Sequence, residues 1–150
     1  MNKNIFAINN SQNKMKYRPA INIYLTLTFF CLLLIAACDD TINITDIDSK
    51  IIPTSNVSYA QYIQPVLTAK CARAGCHDDQ TSEAGLSLTS YSNTTRSYLI
   101  VAPGYPQNSK LVWSIEGTSG NIMPPLGYLP VTKNQIDGIK TWIKEGAKNN

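Results

Sequence analysis

At 150 residues the chain is long enough for one domain, or two very small ones. Its formal charge of +3 comes from the N-terminus: Lys3, Lys14, Lys16 and Arg18 stand ahead of all ten acidic residues, and from Cys38 onward nine basic residues face ten acidic ones, a net −1. No basic stripe runs through the chain, so composition gives no support to nucleic acid binding.

Ile21 to Ala37 is an apolar run broken only by Asn22, Thr26 and Thr28, and it follows a cluster of basic residues. A charged n-region followed by an apolar h-region is the pattern of an export signal. The run closes on Leu34-Ile35-Ala36-Ala37-Cys38, which resembles a bacterial lipobox. This predicts residues 1–37 as a lipoprotein signal peptide, cleaved before Cys38, which then carries lipid. Met15 is an alternative start, because Met15-Lys16-Tyr17-Arg18 makes a shorter n-region. An uncleaved membrane anchor is the competing reading, although 17 residues are marginal for about 30 Å of hydrocarbon. Either reading puts the remainder outside the cytoplasmic membrane, on the periplasmic side or at the cell surface. Residues 38–56 are polar, acid-leaning and without sustained periodicity, the composition of a flexible tether.

A domain is expected over 57–150. Ser58 is a good N-cap, and Tyr59, Tyr62, Ile63, Val66 and Leu67 recur at three-and-four spacing, predicting a first amphipathic helix. Pro65 must kink this helix or shift its true start. The helix leads into Cys71-Ala-Arg-Ala-Gly-Cys76-His77, which holds the chain's one histidine. Two thiols with an imidazole directly after them are the arrangement that attaches c-type haem, each sulfur forming a thioether and the imidazole binding iron. The usual spacing has two residues between the cysteines, and here there are four. The extra residues must loop outward, which small side chains at Ala72, Ala74 and Gly75 allow, with Gly75 free to take a positive φ. A local Cys71–Cys76 disulfide and a zinc site also remain open on these residues alone.

Asp78 to Glu83 reads as a solvated loop, and Gly85-Leu86-Ser87-Leu88 as a short apolar alternation. A short helix is expected from Ser90 to about Ile100, then a turn at Val101-Ala-Pro103-Gly104-Tyr-Pro106. Asn108 or Ser109 caps a further helix carrying Leu111, Val112 and Ile115, beside Trp113, whose indole N–H either meets a propionate or only packs.

Met123, in Gly120-Asn121-Ile122-Met123-Pro124-Pro125, is the only methionine after the leader. A thioether opposite histidine is a common sixth ligand of haem iron and raises its potential. Pro124 disfavours helix at Met123 and the two prolines stiffen the loop. A packing methionine is the alternative. The last helix is marked by Thr132 as N-cap, Gln135 at N3 and Val131 with Ile136 as a staple. Its stripe is Ile136, Ile139, Trp142 and Ile143, and Gly146 ends it.

From about Tyr59 to Ala147 the ordered segments resemble small class I-like cytochrome c modules, particularly the planctomycete-type cytochrome c domains. The segments are Ile63-Gln64-Pro65-Val66-Leu67, Cys76-His77, Gly85-Leu86-Ser87-Leu88, Val101-Ala102-Pro103-Gly104, Ser109-Lys110-Leu111, Met123-Pro124-Pro125 and Trp142-Ile143-Lys144-Glu145-Gly146-Ala147. The resemblance implies a mostly α-helical fold around one covalent haem c, with His77 and Met123 as axial ligands. It implies an electron carrier rather than an enzyme, working with an unidentified redox protein. A haem-free, disulfide-stapled lipoprotein binding module is the rival from another class. A haem-based sensor or enzyme with a labile distal ligand is the third.

Overall fold

The computed structural model describes residues 23–29 and 43–150. The chain divides into two compact units, 1–41 and 42–150. In the first, residues 23–29 are helical with exposed side chains. The rest of the apolar run, the lipobox-like stretch and the expected lipidation site Cys38 lie outside the described residues. Among those described, no helix is long and apolar enough to cross a membrane.

The second unit is built of helices and turns, without a strand among its described residues. Its elements are α1 (Ile44–Ser49), a π-turn Tyr59–Ile63 running into α2 (Gln64–Lys70), α3 (Tyr91–Thr94), α4 (Lys110–Glu116) and α5 (Lys133–Lys144). The mostly α-helical expectation therefore holds.

α5 forms where the sequence demands it. Thr132 Oγ1 accepts from Gln135 N, and Gln135 returns its side-chain oxygen to Thr132 N, completing the capping box. Ile139, Trp142 and Ile143 are fully buried, each worth about 1.5–3 kcal/mol relative to exposure. Ile136 is only half-buried. The first helix behaves as its proline requires. Ser58 caps the start through Gln61 N, and Pro65 falls in the first turn of α2, where its missing N–H costs nothing. The π-turn ahead of it keeps Tyr59 and Ile63 on the buried face with Val66 and Leu67. The Tyr59 ring lies 5.1 Å from Trp142 and meets Tyr91 edge-on at 5.2 Å, which joins this helix to α5 and α3.

Three expectations need correction. The stretch assigned to a flexible tether is, from residue 43 to 56, part of the folded body. Asn43 caps α1, and Ile47 and Ile52 enter the core. Asn134 makes two hydrogen bonds to the Ile52 backbone. The Glu145 carboxylate accepts from Asn56 N and Val57 N. Ile52 reaches α5 at Gly138, where an added Cβ would stand 2.6 Å from Ile52 Cγ2. The helix expected from Ser90 to about Ile100 is only the single turn α3. Thr95 Oγ1 bonds back to Tyr91 O, and Ser97 O takes the amides of Ile100 and Val101, so the backbone closes on itself. Ser109 holds the N-cap position of α4 without bonding into it. Its hydroxyl donates to Tyr105 O and accepts from Ala102 N, tying down the preceding turn instead.

Candidate functional site

α2 delivers the Cys71–His77 loop directly, since Cys71 is its C-cap and bonds back to Leu67 O. The loop is one compact turn: His77 N donates to Cys71 O at 3.2 Å and Cys76 N to Arg73 O at 2.9 Å. Arg73, Ala74 and Gly75 project into solvent. Gly75 takes φ +81°, and the extra residues are accommodated as an exposed bulge.

Both sulfurs are free thiols. Cys71 is buried, which pushes its thiol up to about 12, because a thiolate there would lose its hydration. Cys76 is half-buried. The His77 ring places Nδ1 3.1 Å from Leu86 O. A carbonyl can only accept, so Nδ1 carries a proton, and in the neutral ring Nε2 holds the lone pair. Nε2 makes no hydrogen bond among the described residues.

The segment that supplies Leu86 is fixed by a residue the sequence reading left in a solvated loop. Asp79 Oδ1 accepts from Ser87 Oγ and Thr89 Oγ1, each at 2.7 Å, and from Asn93 Nδ2 at 3.2 Å. The hydrogen bonds from Ser87 and then Thr89 hold its carboxyl below the usual range. Leu88 N closes the segment onto His77 O at 2.9 Å. Leu88 itself is core and Leu86 half-buried.

Met123 sits on the loop between α4 and α5, and Met123 N donates to Ser114 O at 2.8 Å. With Pro124 it lines a cleft of about 550 Å³ floored by Ile115, Val131 and Ile136. Cys71, Cys76 and His77 are not among the residues of that cleft. The structure thus gathers the cysteines and histidine into one turn and puts Met123 on a separate loop. The loops meet where the Arg73 guanidinium lies 6.0 Å over the Tyr128 ring. Between Met123 and Pro130 the loop leaves large apolar side chains uncovered, Leu126 at 94% and Tyr128 at 53% exposure. Trp113 donates its indole N–H to Gln107 O at 2.7 Å, so that group is already engaged within the chain.

Lys70 was also missed. It precedes Cys71 yet is buried, with Nζ 2.5 Å from Asp48 Oδ1 and 2.6 Å from Pro130 O. The available signal was its place on the same face as Ile63, Val66 and Leu67, at three-and-four spacing.

The donor set has the chemistry of a covalently held haem: two free thiols, an imidazole nitrogen left open by its partner's bond, a thioether on a separate loop, and apolar side chains lacking cover. Zinc is poorly served, since among the described residues no three His, Cys, Asp or Glu side chains cluster to hold a metal.

Residues 74–127 match the family model described as planctomycete cytochrome C. The matched segment begins inside the Cys71–Cys76 loop, takes in Cys76, His77 and Met123, and ends at Gly127. No curated protein and no solved structure gives a significant match. The match supports a cytochrome c-like domain in this part of the chain, and such a domain implies haem c binding.

Proposed function

We propose that this cytochrome c-like domain is a membrane-anchored, extracytoplasmic electron carrier with one haem, held covalently by Cys71 and Cys76 and ligated by His77 and Met123. The observation that carries the proposal is the family match across Cys76, His77 and Met123, in a chain with one histidine and one methionine beyond its leader. When bound, haem supplies a one-electron iron couple.

The chain's own residues set the terms for that couple. Leu86 O, by accepting from Nδ1, orients the His77 ring and makes it a better electron donor through Nε2. Asp79 keeps the segment carrying that carbonyl in register. The Met123 thioether favours the reduced state of an iron it ligates. With His77 and Met123 both holding the iron, the chain would leave no iron position open to a substrate, which supports electron transfer over catalysis. The net charge of −1 beyond the leader gives little long-range steering, so docking to a redox partner rests on apolar contact.

The test is the alkaline pyridine absorption spectrum of the exported protein after extraction with acidified acetone. Haem that stays with the chain, with the band position of two saturated vinyl groups, is the expected result. A band shifted toward one unsaturated vinyl would mean that only one cysteine is joined. A folded, exported, colourless protein would overturn the reading and leave the haem-free binding module. Carbon monoxide binding to the reduced protein at neutral pH would instead favour a sensor with a labile distal ligand.

A further inference from the structure

We infer that Lys70 is a positioning residue, whose ammonium holds the far end of the Met123 loop against the helix that ends at Cys71. The side chain is 1% exposed, so its charge stays inside only because polar groups meet it. Those groups come from different segments. Pro130 O, at the exit of the Met123 loop, lies 2.6 Å from Nζ. Asp48 Oδ1, at the end of α1, lies 2.5 Å away. Asp48 in turn accepts from Gln135 Nε2 at 2.9 Å, and Gln135 is itself buried in the first turn of α5. The same amide also donates to Ile47 O at 3.2 Å.

The loop entrance has its own fastening, through Met123 N to Ser114 O and through Ile122 lying against Gly117. Between these two ends Leu126 and Leu129 are exposed and contribute little packing, and Tyr128 meets the cysteine loop only through the Arg73 guanidinium, 6.0 Å from its ring. The ammonium therefore fixes the exit of the loop relative to the backbone that continues into Cys71 and His77. Where Met123 stands with respect to His77 depends on that connection. An apolar residue of similar length would fill the space but release the carbonyl.

The inference rests on the proposed Met123 ligation, and two separate readouts keep the failures apart. In exported protein, Lys70→Met is expected to speed amide hydrogen exchange across 117–130 by tenfold or more, while α5 amides keep wild-type protection. In the oxidised haem-loaded form, the same variant is expected to lose most of the sulfur-to-iron charge-transfer band, and Lys70→Arg to restore it in part. A merely stabilising ion pair would instead raise exchange throughout the domain and leave the band alone. Wild-type exchange at 117–130 in Lys70→Met would overturn the inference. If the wild-type protein carries haem but lacks the band, Met123 ligation fails and exchange alone decides the role of Lys70. If Lys70→Met does not fold, Asp48→Asn takes its place. That variant weakens the hold on the ammonium but leaves the Pro130 bond, and an increase of about threefold confined to 117–130 is expected. Unchanged or uniformly raised exchange would refute the assignment.

Discussion

Replacing Gly138 by alanine sets a local and a tertiary effect against each other. Within a helix such as α5, the exchange should gain about 1 kcal/mol from backbone propensity. The new Cβ would stand 2.6 Å from Ile52 Cγ2, 2.9 Å from Cδ1 and 3.0 Å from Cβ. Cβ does not move with any side-chain torsion, and Cγ2 moves only by a χ1 change that a buried β-branched side chain resists, so a rotamer change does not clear the contact. Ile52 as a whole must move, and it is only 3% exposed. Overpacking of this kind costs about 1–3 kcal/mol, and partial loss of isoleucine burial adds to it. The expected net effect of Gly138→Ala is a loss of about 1–2 kcal/mol. Ile52→Ala alone should lose about 2–4 kcal/mol through the cavity it leaves. In that background Gly138→Ala should change sign and stabilise by up to about 1 kcal/mol, because the methyl enters vacated space. The coupling of about 2 kcal/mol lies well beyond the roughly 0.5 kcal/mol scatter of independent sites. Urea unfolding of the four proteins, followed by tryptophan fluorescence, closes the cycle. Stabilisation by Gly138→Ala alone, or an additive cycle, would refute the packing of residues 43–56 on α5.

Two further outcomes follow from the electrostatics of the same region. In folded haem-free protein, iodoacetamide should label half-buried Cys76 at least tenfold faster than Cys71, whose thiol is pushed up to about 12 by burial; equal rates, read by peptide mass spectrometry, would contradict the burial of Cys71. The Lys70 hydrogen bond lowers the Asp48 carboxyl below its ordinary 3.8, so its contribution to stability is complete above that value and disappears as pH falls through the lower, folded one. Asp48→Asn should therefore reduce stability at pH 6 and flatten the part of the acid-unfolding curve below pH 4, as measured by urea midpoint against pH. An unchanged curve would remove Asp48 from the acid response.

What could be read from the chain alone was whatever depends on neighbouring residues. The cap and stripe of α5, the Ser58 start, the bulge at Gly75 and the turn at Gly104 are set by local backbone preference and periodicity, and each stands where the sequence put it. The Cys71–Cys76–His77 arrangement is likewise local, which is why the cytochrome c resemblance was visible before the fold. Periodicity failed where partners are remote. Residues 43–56 look like a solvated linker because their few apolar side chains have no nearby complement. Ile52 finds its space only because Gly138, 86 positions later, lacks a side chain. Nothing in sequence announces that Asp48 and Pro130 will meet buried Lys70, or that Ser87 and Thr89 will meet exposed Asp79. Local preference chose the elements, whereas burial and its demand for polar partners decided which distant residues hold the candidate site together.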